Sequence, residues 1–172
     1  MISGPPGTGK TTLAHAIASA LGCPAICRDE IKEGMVHATP GFAPKPGDEL
    51  TTRTLPTFFG VLKLLLKAGV TTVAEAAFQD RVWRPGLEPL QDLARIRIVH
   101  CAADPELARE RTLRRKKQNP VRQAHPDPDQ AEVGHNQFDR VSIEAPFIEV
   151  DTTDGYEPEL DTIVAFVSSG RT

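Results

Sequence analysis

The chain has 172 residues, a length that fits a single domain (residues 1–172) with a sizeable core. Its net charge of −3 excludes the overall basic field expected of a nucleic-acid-binding protein. Its apolar runs fall far short of the about 20 residues that span a membrane, so we expect no membrane attachment.

The segment GPPGTGKTT, residues 4–12, matches the phosphate-binding spacing G-x-x-x-x-G-K-[ST]. Its glycines allow successive backbone N–H groups to point into one concavity, at the positive N-terminal end of the following helix. We expect Lys10 to reach the β- and γ-phosphates of a nucleoside triphosphate and the Thr11 hydroxyl to ligate Mg²⁺. The predicted nucleotide-binding residues of this loop are Gly4, Pro5, Pro6, Gly7, Thr8, Gly9, Lys10, Thr11 and Thr12.

The context of this loop supports the assignment. Residues 1–3 resemble the end of an apolar strand, and TTLAHAIASALG predicts a helix that ends at Gly22. Strand, glycine loop and helix therefore stand in the order that the motif requires. Only three residues precede Gly4, so the strand is either shortened or begins upstream of Met1.

Strand and helix patterns alternate through the rest of the chain. This alternation predicts an α/β fold: a three-layer P-loop NTPase with a parallel β-sheet and helices on both faces. Ligands of such sheets bind beyond the carboxyl ends of the strands. The predicted strands are at 24–28, about 70–75, 95–101 and 147–153. The predicted helices are at about 30–35, up to about Ala68, 84–94, from Asp104-Pro105 onward, and 157–169.

Asp29 follows the second predicted strand, where a carboxylate would face the γ-phosphate. A phosphoryl-transfer site needs a carboxylate there to orient the acceptor hydroxyl and take its proton. Asp29 is also suited to cap the helix predicted at about 30–35, and the two roles are compatible.

Glu75 ends the apolar run VTTVAE. P-loop proteins place an acidic residue in this position to hold the water shell of Mg²⁺, although Asp is more usual there. We therefore predict Glu75, with Thr11, as a metal-binding residue; pairing with a nearby base is the alternative.

Seven basic residues lie between Leu107 and Arg122, against a single glutamate. Arg111 and Arg115 are four residues apart and share a helix face. Arginines placed over a bound triphosphate would stabilise charge on the transferred group, and the segment at about 115–136 would form a lid. A solvated helix face is the alternative.

The three cysteines, Cys23, Cys27 and Cys101, show neither metal-binding nor redox spacing. Reduced thiols with packing roles fit a cytoplasmic protein. Neither His15 nor His37 is assigned a catalytic role, and the remaining histidines lack metal-binding spacing.

With GPPGTGKTTLA, CRDEIKEG, VAEAAFQ, DPELARERTLRRK and VDTTDGY in this order, the chain resembles the small P-loop kinases grouped as AAA-type predicted kinases. Relatives of that group include chloramphenicol phosphotransferase, zeta toxin and the kinase half of polynucleotide kinase. The resemblance implies a five-stranded parallel sheet with a helical lid. It implies that Asp29 activates the acceptor, that Arg111 and Arg115 are lid arginines, and that the adenine sits by residues 151–156, which include Thr152.

These observations predict an ATP-dependent kinase that uses Mg²⁺, with Lys10, Asp29, Arg111 and Arg115 as catalytic residues. The expected partners are ATP and a small hydroxyl-bearing substrate, and the protein is expected to be a monomer or homodimer. Two alternatives stay open at this point. One is a kinase acting on a nucleic-acid end, which the net charge disfavours. The other is a nucleotide-binding switch without transferase activity.

Overall fold

A computed structural model describes residues 1–45, 47–77, 79–118 and 141–169 of the chain. Within these ranges five parallel strands form one sheet, which confirms the predicted fold class. The strands are β1 (Ile2–Ser3), β2 (Ala25–Cys27), β3 (Val73–Glu75), β4 (Ile98–Ala102) and β5 (Phe147–Asp151).

The predicted alternation of strands and helices is also present. A short 3₁₀ helix, Glu88–Leu90, follows the fourth α-helix. The α-helices are α1 (Lys10–Leu21), α2 (Arg28–His37), α3 (Glu49–Lys67), α4 (Asp80–Leu87), α5 (Pro105–Gln118) and α6 (Leu160–Ser168).

The two-residue strand β1 occupies the centre of the sheet. The strand order is β2-β3-β1-β4-β5, so β1 has a parallel neighbour on each side. Ile2 pairs in register with Glu75 of β3 and Val99 of β4. Ile2 and Ser3 are each 1% exposed, because layers of helices cover both faces of a central strand. The loop that follows β1 is therefore anchored in the middle of the sheet.

Two hydrophobic clusters lie on opposite faces of the sheet. One packs Leu13 and Ile17 of α1 and Ile163 of α6 against strand residues. The other packs Phe58 of α3 and Trp83 of α4, whose rings meet edge to face with centroids 5.6 Å apart. Successive side chains of a strand point to opposite faces, so Ile98 and Val99 belong to different clusters. This is the predicted three-layer arrangement.

Some element boundaries differ from the sequence predictions. Helix α2 begins at Arg28, so Asp29 lies inside its first turn, and the predicted cap role is wrong because Cys27 holds the cap position. Helix α3, for which the sequence predicted only an end near Ala68, begins at Glu49, because the Asp48 side chain caps it by accepting a hydrogen bond from the Thr51 N–H at 2.6 Å.

Helix α4 begins at Asp80 rather than near Arg84. The predicted lid at about 115–136 falls mainly outside the described residues, which include α5 only to Gln118. Among the described residues, no helix is both long enough and apolar enough to cross a membrane.

Candidate functional site

The loop between β1 and α1 requires glycine at the positions where other elements approach it. Gly4 and Gly7 have positive φ angles of 133° and 83°. A Cβ atom on Gly4 would lie 2.2 Å from the carbonyl oxygen of Cys101, and one on Gly7 would lie 2.1 Å from that of Ala108. Side chains have no space at either position, so β4 and α5 hold the loop closely from one side.

Lys10 is the first residue of α1, and its ammonium group lies within the loop. The Nζ atom donates a hydrogen bond to the Pro5 carbonyl oxygen at 2.6 Å, and the residue is 8% exposed. Burial lowers the pKa of Lys10, while the negative charges of Glu75 and Asp29 oppose that shift. The positive charge of Arg115, like burial, lowers the pKa of Lys10. Three other predicted site residues are therefore close enough to influence Lys10 electrostatically.

Thr11 and Glu75, the two predicted metal-binding residues, are in contact. The Thr11 hydroxyl donates a hydrogen bond to the Glu75 carboxylate, with Oγ1 and Oε2 3.1 Å apart. Glu75 is 3% exposed at the end of β3, and the neighbouring β1 leads into the loop. A hydroxyl oxygen and a buried carboxylate are ligand types that Mg²⁺ accepts, usually with several retained waters. The residues present thus fit that ion.

Asp29 lies at the same edge of the sheet, in the first turn of α2. Its carboxylate accepts a hydrogen bond from the Arg28 guanidinium, with Nη1 and Oδ1 2.9 Å apart, and its side chain is 41% exposed. Its negative charge opposes the lowering of the Lys10 pKa that burial causes. The position after β2 thus brings Asp29 to the Lys10 side of the sheet edge while leaving its carboxylate partly open to solvent.

A cavity of about 390 Å³ lies on the α5 side of the loop. The part of its lining that the structure describes does not include Lys10, Thr11, Asp29 or Glu75. Its volume is in the range of small-ligand sites. Of its lining, Gly9, Thr12, Arg111, Arg115 and Thr152 were predicted site residues, and Gly155 and Tyr156 belong to the predicted adenine segment 151–156, whereas Arg114 and Gln118 were not assigned to the site.

Arg111 spans from α5 to the segment after β5. Its guanidinium donates hydrogen bonds to the carbonyl oxygens of Thr152 and Thr153, each at 2.9 Å. The Thr152 hydroxyl lies 3.0 Å from the Thr8 carbonyl oxygen and donates to it. These contacts connect α5, the segment after β5 and the phosphate-binding loop into one wall of the cavity.

Lys32 and Asp48 form a buried ion pair that sequence reasoning missed. Their Nζ and Oδ2 atoms are 3.0 Å apart, and the side chains are 2% and 1% exposed. Burial by itself would raise the pKa of Asp48, but hydrogen bonds from Thr51 and Lys32 outweigh it and lower the pKa. The pair fixes α2, which carries Asp29, to the start of α3. No motif spacing marks it, since the partners come from separate elements.

The sequence profile of one family, described as an AAA domain, matches residues 1–141. The chain belongs to the AAA domain family. The match of this AAA domain to the family includes the phosphate-binding loop, Asp29, Glu75 and the arginines of α5. The cavity residues Thr152, Gly155 and Tyr156 lie beyond it. A search of curated proteins finds no match to the chain.

Solved structures share the fold of this AAA domain at low sequence identity. A Chloroflexus aurantiacus protein provisionally described as a kinase has a TM-score of 0.85 and 22% identity, covering 99% of this chain and 96% of its own. A sugar kinase from a Janibacter species has a TM-score of 0.69 and 18% identity, with coverages of 98% and 93%. The Mycobacterium tuberculosis APS kinase, in complex with AMPPNP and APS, has a TM-score of 0.66 and 13% identity, with coverages of 98% and 95%.

These similarities establish the α/β fold of a P-loop kinase over nearly the whole chain. Fold similarity at such identities does not assign a reaction, because function resides in the site and not in the fold. The reaction has to be argued from the residues at the sheet edge.

Proposed function

We propose that this protein is an ATP-dependent phosphotransferase that moves the γ-phosphate to a hydroxyl group of a small molecule. The observation that carries the proposal is the contact between the Thr11 hydroxyl and the buried Glu75 carboxylate, beside Lys10 in the loop. A triphosphate needs cationic and N–H groups around its oxygens, together with a place for Mg²⁺. Thr11 and Glu75 would hold Mg²⁺, which supplies positive charge to the β- and γ-phosphates.

Asp29 is the proposed acceptor-activating base. It belongs to the edge of the sheet that carries Lys10, and its partly exposed carboxylate accepts a hydrogen bond from Arg28. A carboxylate so placed can orient an acceptor hydroxyl towards the γ-phosphate and accept its proton. A nucleotide-binding switch would not need such a group.

Charge compensation would come from Lys10, Arg111 and Arg115. Lys10 lies inside the loop, and Arg111 and Arg115 line the cavity beside it. Fixed cations stabilise the developing charge of a transferred phosphoryl group without having to reorganise. Because Arg111 already binds two backbone carbonyls, its proposed contribution is to hold the cavity wall while its charge acts from there.

The nucleotide is proposed to lie along the 390 Å³ cavity, with its base near Thr152 and Tyr156. The APS kinase with a similar fold was solved with AMPPNP, which is compatible with this proposal. The relationship to chloramphenicol phosphotransferase, zeta toxin and polynucleotide kinase stays a prediction, as does the identity of the acceptor.

The test is ATP consumption by the purified protein across a library of hydroxyl compounds, beside the variant Asp29→Asn. We expect one class of compound to raise consumption, and Asn to reduce that rise by about 10²–10⁴-fold, the usual contribution of a general base. Nucleotide affinity, measured separately, should be retained.

Asp92→Asn is the matched control, since this exposed carboxylate lies in the connection that leads into the amino end of β4, on the opposite edge of the sheet from Asp29. It should leave turnover unchanged. If ATP binds but no compound stimulates turnover, and Asp29→Asn behaves like the control, the proposed transferase activity is wrong.

A further inference from the structure

Three side chains outside the proposed reaction meet beside β2. His15 comes from α1, Cys27 ends β2, and Glu30 lies in the first turn of α2. The His15 Nε2 atom is 2.7 Å from Glu30 Oε1 and 3.8 Å from Cys27 Sγ. One potential ligand atom from each residue lies within 4.8 Å of the others.

The types and spacing of these atoms suit a transition-metal ion. Imidazole nitrogen, thiolate sulfur and carboxylate oxygen are the three ligand types found in protein zinc sites. The bond lengths of a tetrahedral zinc site place such ligand atoms roughly 3.4–3.6 Å apart. The His15–Glu30 and His15–Cys27 separations differ from that range by less than about 1 Å, so modest side-chain movements would form the site.

The surroundings add negative charge on the buried side of the cluster. Cys27 is 2% exposed, and the negative charges of Glu30 and Glu75 act on its thiol. His15 and Glu30 are about half exposed, with side-chain exposures of 51% and 43%. A cation could therefore enter from solvent through His15 and Glu30 and reach a sulfur that lies in the field of two carboxylates.

We propose that His15, Cys27 and Glu30 form a binding site for one thiophilic divalent cation, such as Zn²⁺, distinct from the Thr11–Glu75 pair. Three protein ligands leave a fourth position for water. The sulfur and imidazole ligands favour Zn²⁺ or Co²⁺ over Mg²⁺, which prefers oxygen. This site does not depend on the proposed phosphotransferase activity.

The test is titration of reduced, chelator-treated protein with Co²⁺, in the absence of nucleotide. We expect one equivalent to bind with a near-ultraviolet thiolate-to-cobalt charge-transfer band. Zn²⁺ should abolish the band by displacement, while a large excess of Mg²⁺ should leave it in place. Co²⁺ bound to the oxygen ligands Thr11 and Glu75 would give no such band, so the two sites are distinguishable.

Substitutions identify the ligands. Cys27→Ser should remove the charge-transfer band, and His15→Ala should weaken Co²⁺ binding by on the order of tenfold or more. His15 is exposed, so its variant tests the site even where the buried Cys27→Ser change prevents folding. Cys23→Ser and His37→Ala, which alter the same residue types outside the cluster, should keep the band and the affinity.

The proposal is overturned if stoichiometric Co²⁺ gives no charge-transfer band. It is equally overturned if the band survives Cys27→Ser or disappears with Cys23→Ser. It is also overturned if the His15→Ala variant binds Co²⁺ with full affinity. All of these measurements report cation binding directly, so they stand apart from any result on ATP turnover.

Discussion

The phosphate-binding loop gathers its groups from consecutive residues 4–12. The α2–α3 side instead brings together Asp29 and Lys32 of α2 and Asp48, the residue that caps α3. The proposed binding groups of the loop are backbone N–H groups, and neighbouring backbone leaves no space for side chains at Gly4 and Gly7. The α2–α3 side depends on charged side chains, including a buried ion pair. The first construction can be recognised from spacing, while the second requires folding to bring its members together.

Substitutions on the two sides should also destabilise the protein for different reasons. A Cβ atom added to the loop meets backbone atoms that have no alternative position. A charge removed from the α2–α3 side leaves its former partner buried in a poorly solvated place. The following changes, in order of decreasing expected effect, test this difference.

Lys32→Met should produce the largest loss of stability. It leaves the Asp48 carboxylate buried without its ammonium partner, and breaking a buried ion pair in this way costs about 3–5 kcal/mol. Chemical denaturation measures the change. Lys63→Met, an exposed lysine of α3, is the control and should change the unfolding free energy by less than about 0.5 kcal/mol. Equal effects of the two substitutions would show that the pair does not hold α2 to α3.

Gly7→Ala should cost about 2–4 kcal/mol and abolish nucleotide binding. The added Cβ atom meets the Ala108 carbonyl oxygen, so crowding adds to the cost of a positive φ angle. Gly69→Ala is the matched control, because Gly69 has a φ of 75° but nothing within 4 Å of its Cβ position. It should cost only about 1–2 kcal/mol. If Gly7→Ala lowers the unfolding free energy no more than the control does, the close approach of α5 to the loop is contradicted.

Arg111→Met should reduce the stability of the nucleotide-free protein by about 1–3 kcal/mol. The variant loses two charge-assisted hydrogen bonds, to the Thr152 and Thr153 carbonyl oxygens. Arg114→Met is the control, since it changes the same residue type in the lining of the same cavity. The Arg114 side chain is 58% exposed, and its Nη1 atom lies 3.7 Å from Glu110 Oε1. This control should cost less than about 1 kcal/mol. Thermal unfolding without nucleotide compares the two; similar shifts would mean that Arg111 does not support the cavity wall.

The smallest expected effect is the pH dependence contributed by Asp48. Hydrogen bonds from Thr51 and Lys32 overcome burial and hold the pKa of Asp48 below its ordinary value of 3.8. The ionised form therefore stabilises the fold above that ordinary value, and the stabilisation is lost as pH falls through the lowered pKa of the folded state. Asp48→Asn, which keeps a side chain able to cap α3, should be less stable at pH 5 because Lys32 loses its partner, but its unfolding free energy should fall less steeply from pH 5 downward. Parallel curves for the two proteins would exclude this contribution.

Much of the fold was predictable because its signals are local. The glycine spacing identified the loop, the apolar runs identified the strands, and their alternation predicted a parallel sheet with helices on both faces. Boundaries were less accurate, since capping contacts decide them. Asp48 caps α3 and sets its start at Glu49, which the sequence left open, and α2 begins at Arg28, before Asp29.

The sequence by itself determined the phosphate-binding loop and which strands Asp29 and Glu75 follow or end. These depend only on residue order, and the carboxyl ends of parallel strands meet at one edge of a sheet. Only the tertiary structure decided that Thr11 contacts Glu75, that Lys32 is buried against Asp48, and that His15, Cys27 and Glu30 meet. These contacts join residues from different elements, and their distances are set by how helices pack on the sheet. Spacing along the chain carries no information about them.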